Sequence, residues 1–189
     1  GSNITKSEGK TTEMSVLTEK RDLEAVLLAA KTWQFVDTKN IFLCGESQGG
    51  FVTALTAVDH VKEIKGIVLL YPAFHIPDAM RKMFPERQGI KDEMDFPYNM
   101  KVGRCYVDAV YDMNAYAATK NFRKKVLIIH GDKDSAVPIS YAERAAKEYP
   151  FAELKVINGA DHGFITKEYK DQAIKYMIDF LQTEIKRNH

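Results

Sequence analysis

Cysteine, tryptophan, net charge and long apolar runs are all scarce in this chain. Its 189 residues hold two cysteines and one tryptophan. Cys44 and Cys105 offer no disulfide framework, so a reducing, cytoplasmic setting is the simplest expectation. Cys44 lies in an apolar run and is expected to be a small buried residue. No stretch approaches the roughly 18 apolar residues that would span a bilayer. Lys+Arg number 27 and Asp+Glu 26, which leaves no electrostatic footprint for nucleic acid or an anionic membrane. The start shows no signal-like pattern, and Gly1-Ser2 reads as a remnant of cloning. Repeats and low-complexity tracts are lacking, and nothing in the sequence implies a metal or a cofactor.

What is present is organised around Ile41-Phe-Leu-Cys-Gly-Glu-Ser-Gln-Gly-Gly50. An apolar run enters Gly45-Glu46-Ser47-Gln48-Gly49, and a helix-like segment, Phe51 to Val58, follows. Strand, sharp turn and helix around Gly-x-Ser-x-Gly is the context of a nucleophile elbow, in which a strained backbone lifts the serine hydroxyl clear of the sheet. The residues two before and two after the serine are expected to be small, to avoid collision where strand and helix converge. The plainer reading is a glycine-rich strand-to-helix loop.

The length suits one domain, 1–189, with a sizeable core. Residues 1 to 14 are polar and aperiodic. Ser15 or Thr18 can cap a first helix whose Leu23, Val26, Leu27, Ala30 and Trp33 share one face. Four strands are expected: Asn40–Cys44, Gly66–Pro72, Val126–His130 and Glu153–Ile157, the last nearer an edge because it alternates. Helical patterns occupy 140–149 and 167–185. Strands alternating with helices predict an α/β fold with a parallel sheet of right-handed crossovers.

Residues 74–122 break that rhythm and are too long for a simple crossover. They hold Met80, Met83, Met94, Met100 and Met113, and aromatics that include Phe84, Phe96, Tyr98, Tyr106, Tyr111 and Tyr116. Flexible methionines with aromatics make an adaptable apolar surface. The segment leaves the sheet at a strand's carboxyl end, so a lid over a substrate pocket is expected, against an inserted helical hairpin with its own core.

A serine needs a base, and the base a carboxylate to hold its tautomer. Among five histidines, His189 is terminal, His60 is expected to be exposed at a helix end, His75 opens the inserted segment and His130 ends a strand. His162, in Asn158-Gly-Ala-Asp-His-Gly-Phe164, sits on a turn-rich loop after the fourth strand and is the expected base. Asp132 and Asp134 compete as the carboxylate after the third strand. Asp132 follows Gly131 and could cap the turn; Asp134 lies farther along, able to reach back to His162, and is preferred. The order Ser47, Asp134, His162 is that of α/β-hydrolases.

Gly-Glu-Ser-Gln-Gly-Gly, His-Gly-Asp-Lys-Asp-Ser-Ala-Val-Pro and Gly-Ala-Asp-His-Gly-Phe together resemble the α/β-hydrolase superfamily, most nearly the bacterial cinnamoyl (feruloyl) esterase-like serine hydrolases. Ser7-Glu-Gly-Lys10 with Met14-Ser-Val-Leu-Thr18, Tyr71-Pro-Ala73 and Gly103-Arg-Cys-Tyr106 are similar as well. The resemblance implies carboxylester hydrolysis through an acyl-enzyme, with no metal and with a lid that shapes the acyl pocket. It implies the Gln48 backbone N–H as one oxyanion donor. It implies Asp78 and Tyr106 as contacts for the phenolic end of a hydroxycinnamoyl group, against surface or lid-core roles for both. Short acylglycerols, peptides with a free amino terminus, or a self-associating scaffold with little activity are the alternatives.

Three departures stand out. Glu46 occupies a position where histidine is frequent in that family. Asn3-Ile-Thr-Lys6 replaces a usual Gly-His-Gly turn. Only 40 residues precede Ile41, where the superfamily has several strands and a second oxyanion donor. The expectation is a hydrolase domain incomplete at its N-terminus. Strand 41–44 would then be an apolar edge covered by a second copy of the chain or by a partner segment.

Overall fold

The computed structural model describes residues 8–96, 100–117 and 119–187. The expectations placed on residues 1–7, Tyr98 and His189 lie outside these. In chain order the elements are α1 (Val16–Ala30), β1 (Phe42–Glu46), α2 (Ser47–Ala57), β2 (Gly66–Leu70), α3 (Ile76–Met83), β3 (Glu93–Phe96), β4 (Met100–Gly103), α4 (Arg104–Val110), β5 (Lys125–Gly131), α5 (Ile139–Glu148), β6 (Ala152–Ile157) and α6 (Lys167–Lys186).

β1, β2, β5 and β6 form one parallel sheet in that order. Cys44 stands opposite Val68, and Val68 opposite Leu127. The central strands are apolar throughout because both faces are covered. Side chains alternate between them. Ile67, Leu69, Val126 and Ile128 enter a core beneath α1, α2, α5 and the inserted segment. Val68, Leu70, Leu127 and Ile129 enter a second core against α6. On α6, Tyr169, Ala173, Tyr176, Met177 and Phe180 recur at helical spacing and form the covering stripe. Phe51, fully buried on α2, packs edge-on against Phe74 at 5.7 Å. Truncating such a residue to alanine costs about 3–5 kcal/mol.

The start of α1 is fixed by a capping box. Ser15 Oγ accepts from the Thr18 N–H at 3.2 Å, and Thr18 Oγ1 accepts from the Ser15 N–H at 2.9 Å. Its expected apolar face is only partly used. Leu27 is buried, but Val26 is 57% and Trp33 47% exposed. The helix ends at Ala30, and Trp33 stacks on Phe35 instead.

Cys44 departs from expectation: it is exposed, because β1 is an edge strand among the described residues and no strand covers its outer side. His60 is also misjudged. Its side chain is only 14% exposed, since the turn after α2 lays it between Glu24 (3.5 Å) and Glu63 (3.8 Å).

The segment between β2 and β5 contains α3, the antiparallel hairpin β3–β4 and α4. The hairpin was not anticipated. The segment shares the main core: Met80 is buried there, with Met94, Met100 and Met113 against it, while Met83 is exposed. Among the described residues, no helix is long and apolar enough to cross a membrane.

Candidate active site

β1 runs into α2 without an intervening loop, and Ser47 takes φ +49° at the junction. The turn is held by close contacts. A Cβ on Gly45 would lie 2.2 Å from the Gly49 carbonyl oxygen and 2.4 Å from Thr53 Oγ1, so only glycine fits. At Gly50 it would come 3.0 Å from the Gly45 oxygen and from Pro72. At Gly49 it would meet nothing within 4 Å. The expectation of a small residue two after the serine is thus displaced by one position: helix and strand converge at Gly50, and Gly49 contributes only its carbonyl. The Ala73 N–H donates to the Ser47 carbonyl at 2.9 Å, which ties the turn to the end of β2.

Two loops at the same sheet edge bring up the other groups. The Lys133 N–H donates to the Ala160 carbonyl at 2.9 Å, and Gly131 is glycine because that carbonyl passes where a Cβ would sit. Asp132 and Asp134 divide their work. Asp132 is exposed and accepts from the Gly159 N–H at 2.6 Å, reaching across to the histidine loop rather than capping its own turn. The Asp134 carboxylate has no exposed side-chain surface. Its Oδ1 accepts from the Ala136 and Val137 N–H groups at 2.9 and 2.8 Å, and its Oδ2 from His162 Nδ1–H at 2.8 Å. His162 Nε2 in turn accepts from the Ser47 hydroxyl at 3.0 Å. Serine, histidine and aspartate therefore form one unbroken relay, which requires the Nδ1–H tautomer of His162.

Two further histidines lie near it. His130, fully buried, donates from Nε2 to the Val137 carbonyl at 2.9 Å and stands 3.3 Å from Asp134 Oδ2. Burial pushes its pKa below the ordinary histidine value, as it does for half-buried His75 at the start of α3.

Gln48 follows Ser47 in the first turn of α2, where backbone N–H groups have no intrahelical acceptor. Its side chain is clamped at both ends. Nε2 donates to Glu19 Oε2 and Oε1 accepts from Tyr106 O–H, each at 2.6 Å. Burial raises the Tyr106 pKa, which keeps the phenol a donor. Asp78 lies apart, exposed, paired with Arg81 and accepting from Tyr141 O–H at 2.9 Å. It lines a cavity of about 300 Å³ with Phe74, Pro77, Arg81, Tyr116 and Arg144. No hydrogen bond joins Asp78 to Tyr106 among the described residues.

Tyr71 and Glu46 were not expected to interact. The register that sets Glu46 opposite Leu70 leaves it beside Tyr71, whose hydroxyl donates to Glu46 Oε2 at 2.8 Å. The Tyr71 ring meets those of His162 and Phe164 at 4.7 and 4.8 Å.

A parallel sheet with a serine elbow at one strand's carboxyl end, and with acid and histidine loops at the same edge, defines an α/β-hydrolase. More narrowly, the chain matches the prolyl oligopeptidase family (peptidase S9) over residues 17–188 and belongs to it. Est1E from Butyrivibrio proteoclasticus, solved alone and with ferulic acid, is similar in structure. The TM-scores are 0.82 and 0.83, at 28% identity over 91% and 93% of this chain and 72% of Est1E. A monoacylglycerol lipase from Paleococcus ferrophilus shares the fold, with TM-score 0.71 and 17% identity over 95% of this chain and 79% of that one. Non-heme chloroperoxidase CPO-A1 from Kitasatospora aureofaciens is 36% identical over 80 residues. That stretch is 41% of this chain and only 29% of the chloroperoxidase.

Proposed function

We propose that the chain is a serine carboxylester hydrolase acting through Ser47, His162 and Asp134. The observation that carries this reading is the relay itself: hydroxyl to imidazole at 3.0 Å and imidazole to buried carboxylate at 2.8 Å, on an elbow that strains the serine. In the reaction His162 Nε2 takes the Ser47 proton as Oγ attacks the ester carbonyl. Asp134 stabilises the imidazolium. The Gln48 N–H holds the tetrahedral oxyanion. His162 then returns its proton to the leaving alcohol, and a water activated by His162 releases the acid and frees Ser47.

The substrates we infer are hydroxycinnamoyl or other small aromatic or short-acyl esters. The resemblance to Est1E, which binds ferulic acid, supports this. Residues 74–122 would serve as the lid. Asp78 keeps acceptor capacity for a phenolic hydroxyl beside Tyr141 and Arg81, whereas Tyr106, already donating to Gln48, could only accept from a ligand.

A fluorophosphonate probe tests the core of this reading. Labelling at Ser47, lost in Ser47→Ala together with p-nitrophenyl acetate hydrolysis, is the expected result. Equal rates in variant and parent refute it, as would be expected of a scaffold that merely retains these residues. Membership of the prolyl oligopeptidase family favours a second reading, cleavage of peptides, for which substrates with a free amino terminus are the ones to try first. Methyl ferulate, tributyrin and an aminoacyl-nitroanilide compared side by side separate ester, acylglycerol and peptide substrates.

A further inference from the structure

We propose that Glu46 and Tyr71 form a positioning pair for His162, with the Glu46 carboxylate acting as a second anionic neighbour of the imidazole besides Asp134. The inference rests on the reading of Ser47 and His162 as nucleophile and base, and it assigns work to two residues that the relay does not use.

The Tyr71 hydroxyl donates to Glu46 Oε2 at 2.8 Å, while its ring lies 4.7 Å from the His162 ring at 63°. Phe164 closes the other contact at 4.8 Å and 84°. Tyr71 has little freedom to move. It is 5% exposed, its backbone sits at φ +36°, and its N–H donates to the Ile129 carbonyl at 2.7 Å. Burial and the adjacent carboxylate push the phenol's pKa well up, so it stays protonated and remains a donor. Summing these distances across the phenol places the carboxylate within about 10 Å of the imidazole, about one Debye length at ordinary ionic strength.

The chemistry gives this a sign. When the Ser47 proton passes to Nε2, the imidazole becomes a cation, and a nearby carboxylate favours that form. The other titratable groups around His162 and Tyr71 include Asp134 from the loop after β5, His130 from β5, His75 from the start of α3, Cys44 from β1, and Asp161 next to His162 in its own loop. Burial holds both other histidines toward their neutral forms. Asp161 Oδ1 is engaged within its own loop, where it accepts from the Ile165 N–H at 3.0 Å. Glu46 is exposed, so replacing it leaves the core untouched.

The test is an NMR titration of the His162 ring in the whole chain, which reads the imidazole whether or not substrate turns over. Glu46→Gln should lower the His162 pKa by a few tenths of a unit at low ionic strength. Tyr71→Phe keeps the ring but frees the carboxylate, and should give a smaller fall. The double variant should fall no further than Glu46→Gln. An unchanged or raised pKa in Glu46→Gln, or fully additive shifts, overturns the pair. A shifted pKa without fluorophosphonate labelling of Ser47 would support the pair and refute the esterase reading.

Discussion

Replacing Asp134 by asparagine removes one charge and reverses one hydrogen bond. The Oδ1 side accepts from two backbone N–H groups at 2.9 and 2.8 Å, and asparagine keeps both only if its carbonyl takes that place. Its amide nitrogen then faces His162 Nδ1, where Oδ2 had accepted at 2.8 Å. A donor there forces Nδ1 to accept, so the ring proton moves to Nε2. Nε2 can then no longer accept from the Ser47 hydroxyl 3.0 Å away. The wrong tautomer costs about 10⁴ in kcat in serine proteases, or about 5.4 kcal/mol of barrier. We expect Asp134→Asn to lower kcat for p-nitrophenyl acetate by that order, with Tm nearly unchanged because the backbone bonds survive. A variant within tenfold of the parent would refute the reasoning. So would a large fall in Tm, which would make Asp134 chiefly a structural residue.

The glycines of the elbow should respond in opposite ways. Gly45→Ala must displace the Gly49 carbonyl and should cost several kcal/mol, whereas Gly49→Ala, with open space inside a helix, should gain about 0.5–1 kcal/mol. Differential scanning calorimetry of both variants checks this. His130 makes stability depend on pH. Its folded pKa is lowered by burial, so the unfolded chain binds more protons below the ordinary histidine value, and stability falls as pH drops through that range. His75, lowered in the same way, adds to the same slope; each of the two can contribute up to about 1.4 kcal/mol per pH unit, and a Tm that stays flat between about pH 7 and pH 5 would show that neither is held neutral.

The sequence was most informative where the chemistry is local. Gly45 to Gly50 could be read because the elbow's constraints fall on adjacent residues. Asp134 and His162 could be read because a parallel sheet sends every βα loop to one edge, so three separate motifs must meet there. The choice between Asp132 and Asp134 was legible in direction, but the bond from Gly159 to Asp132 was not, since it joins loops that touch only once β5 and β6 pair. Glu46 and Tyr71 were opaque for the same reason: their contact depends on the register of β1 against β2. The β3–β4 hairpin was missed because Glu93-Met-Asp-Phe96 alternates over only four residues, too few to register against a methionine-rich background. Helical spacing placed Val26 and Trp33 on the face of Leu27, but periodicity cannot say which neighbours cover a face, and both are exposed.

Backbone strain gives one more reason to read this edge as the working part of the molecule. Among the described residues, the non-glycine positions with positive φ are Ser47, Tyr71 and Phe164. They follow three different strands, yet they converge on His162: Ser47 through its hydroxyl, Tyr71 through its ring, and Phe164 through Tyr71 and its own loop. Such conformations cost of order 1–3 kcal/mol each and persist only where the surroundings over-determine them. Those surroundings are visible. Pro72 and Gly50 pack under the elbow, Ala73 bonds the Ser47 carbonyl, Ile129 bonds the Tyr71 N–H, and the Phe164 side chain is 3% exposed. Strain left over from imperfect packing would be scattered over the fold. Its concentration around one imidazole, supported by contacts from β1, β2, β5 and the loop after β6, is the pattern expected if His162 and Ser47 do the work proposed for them.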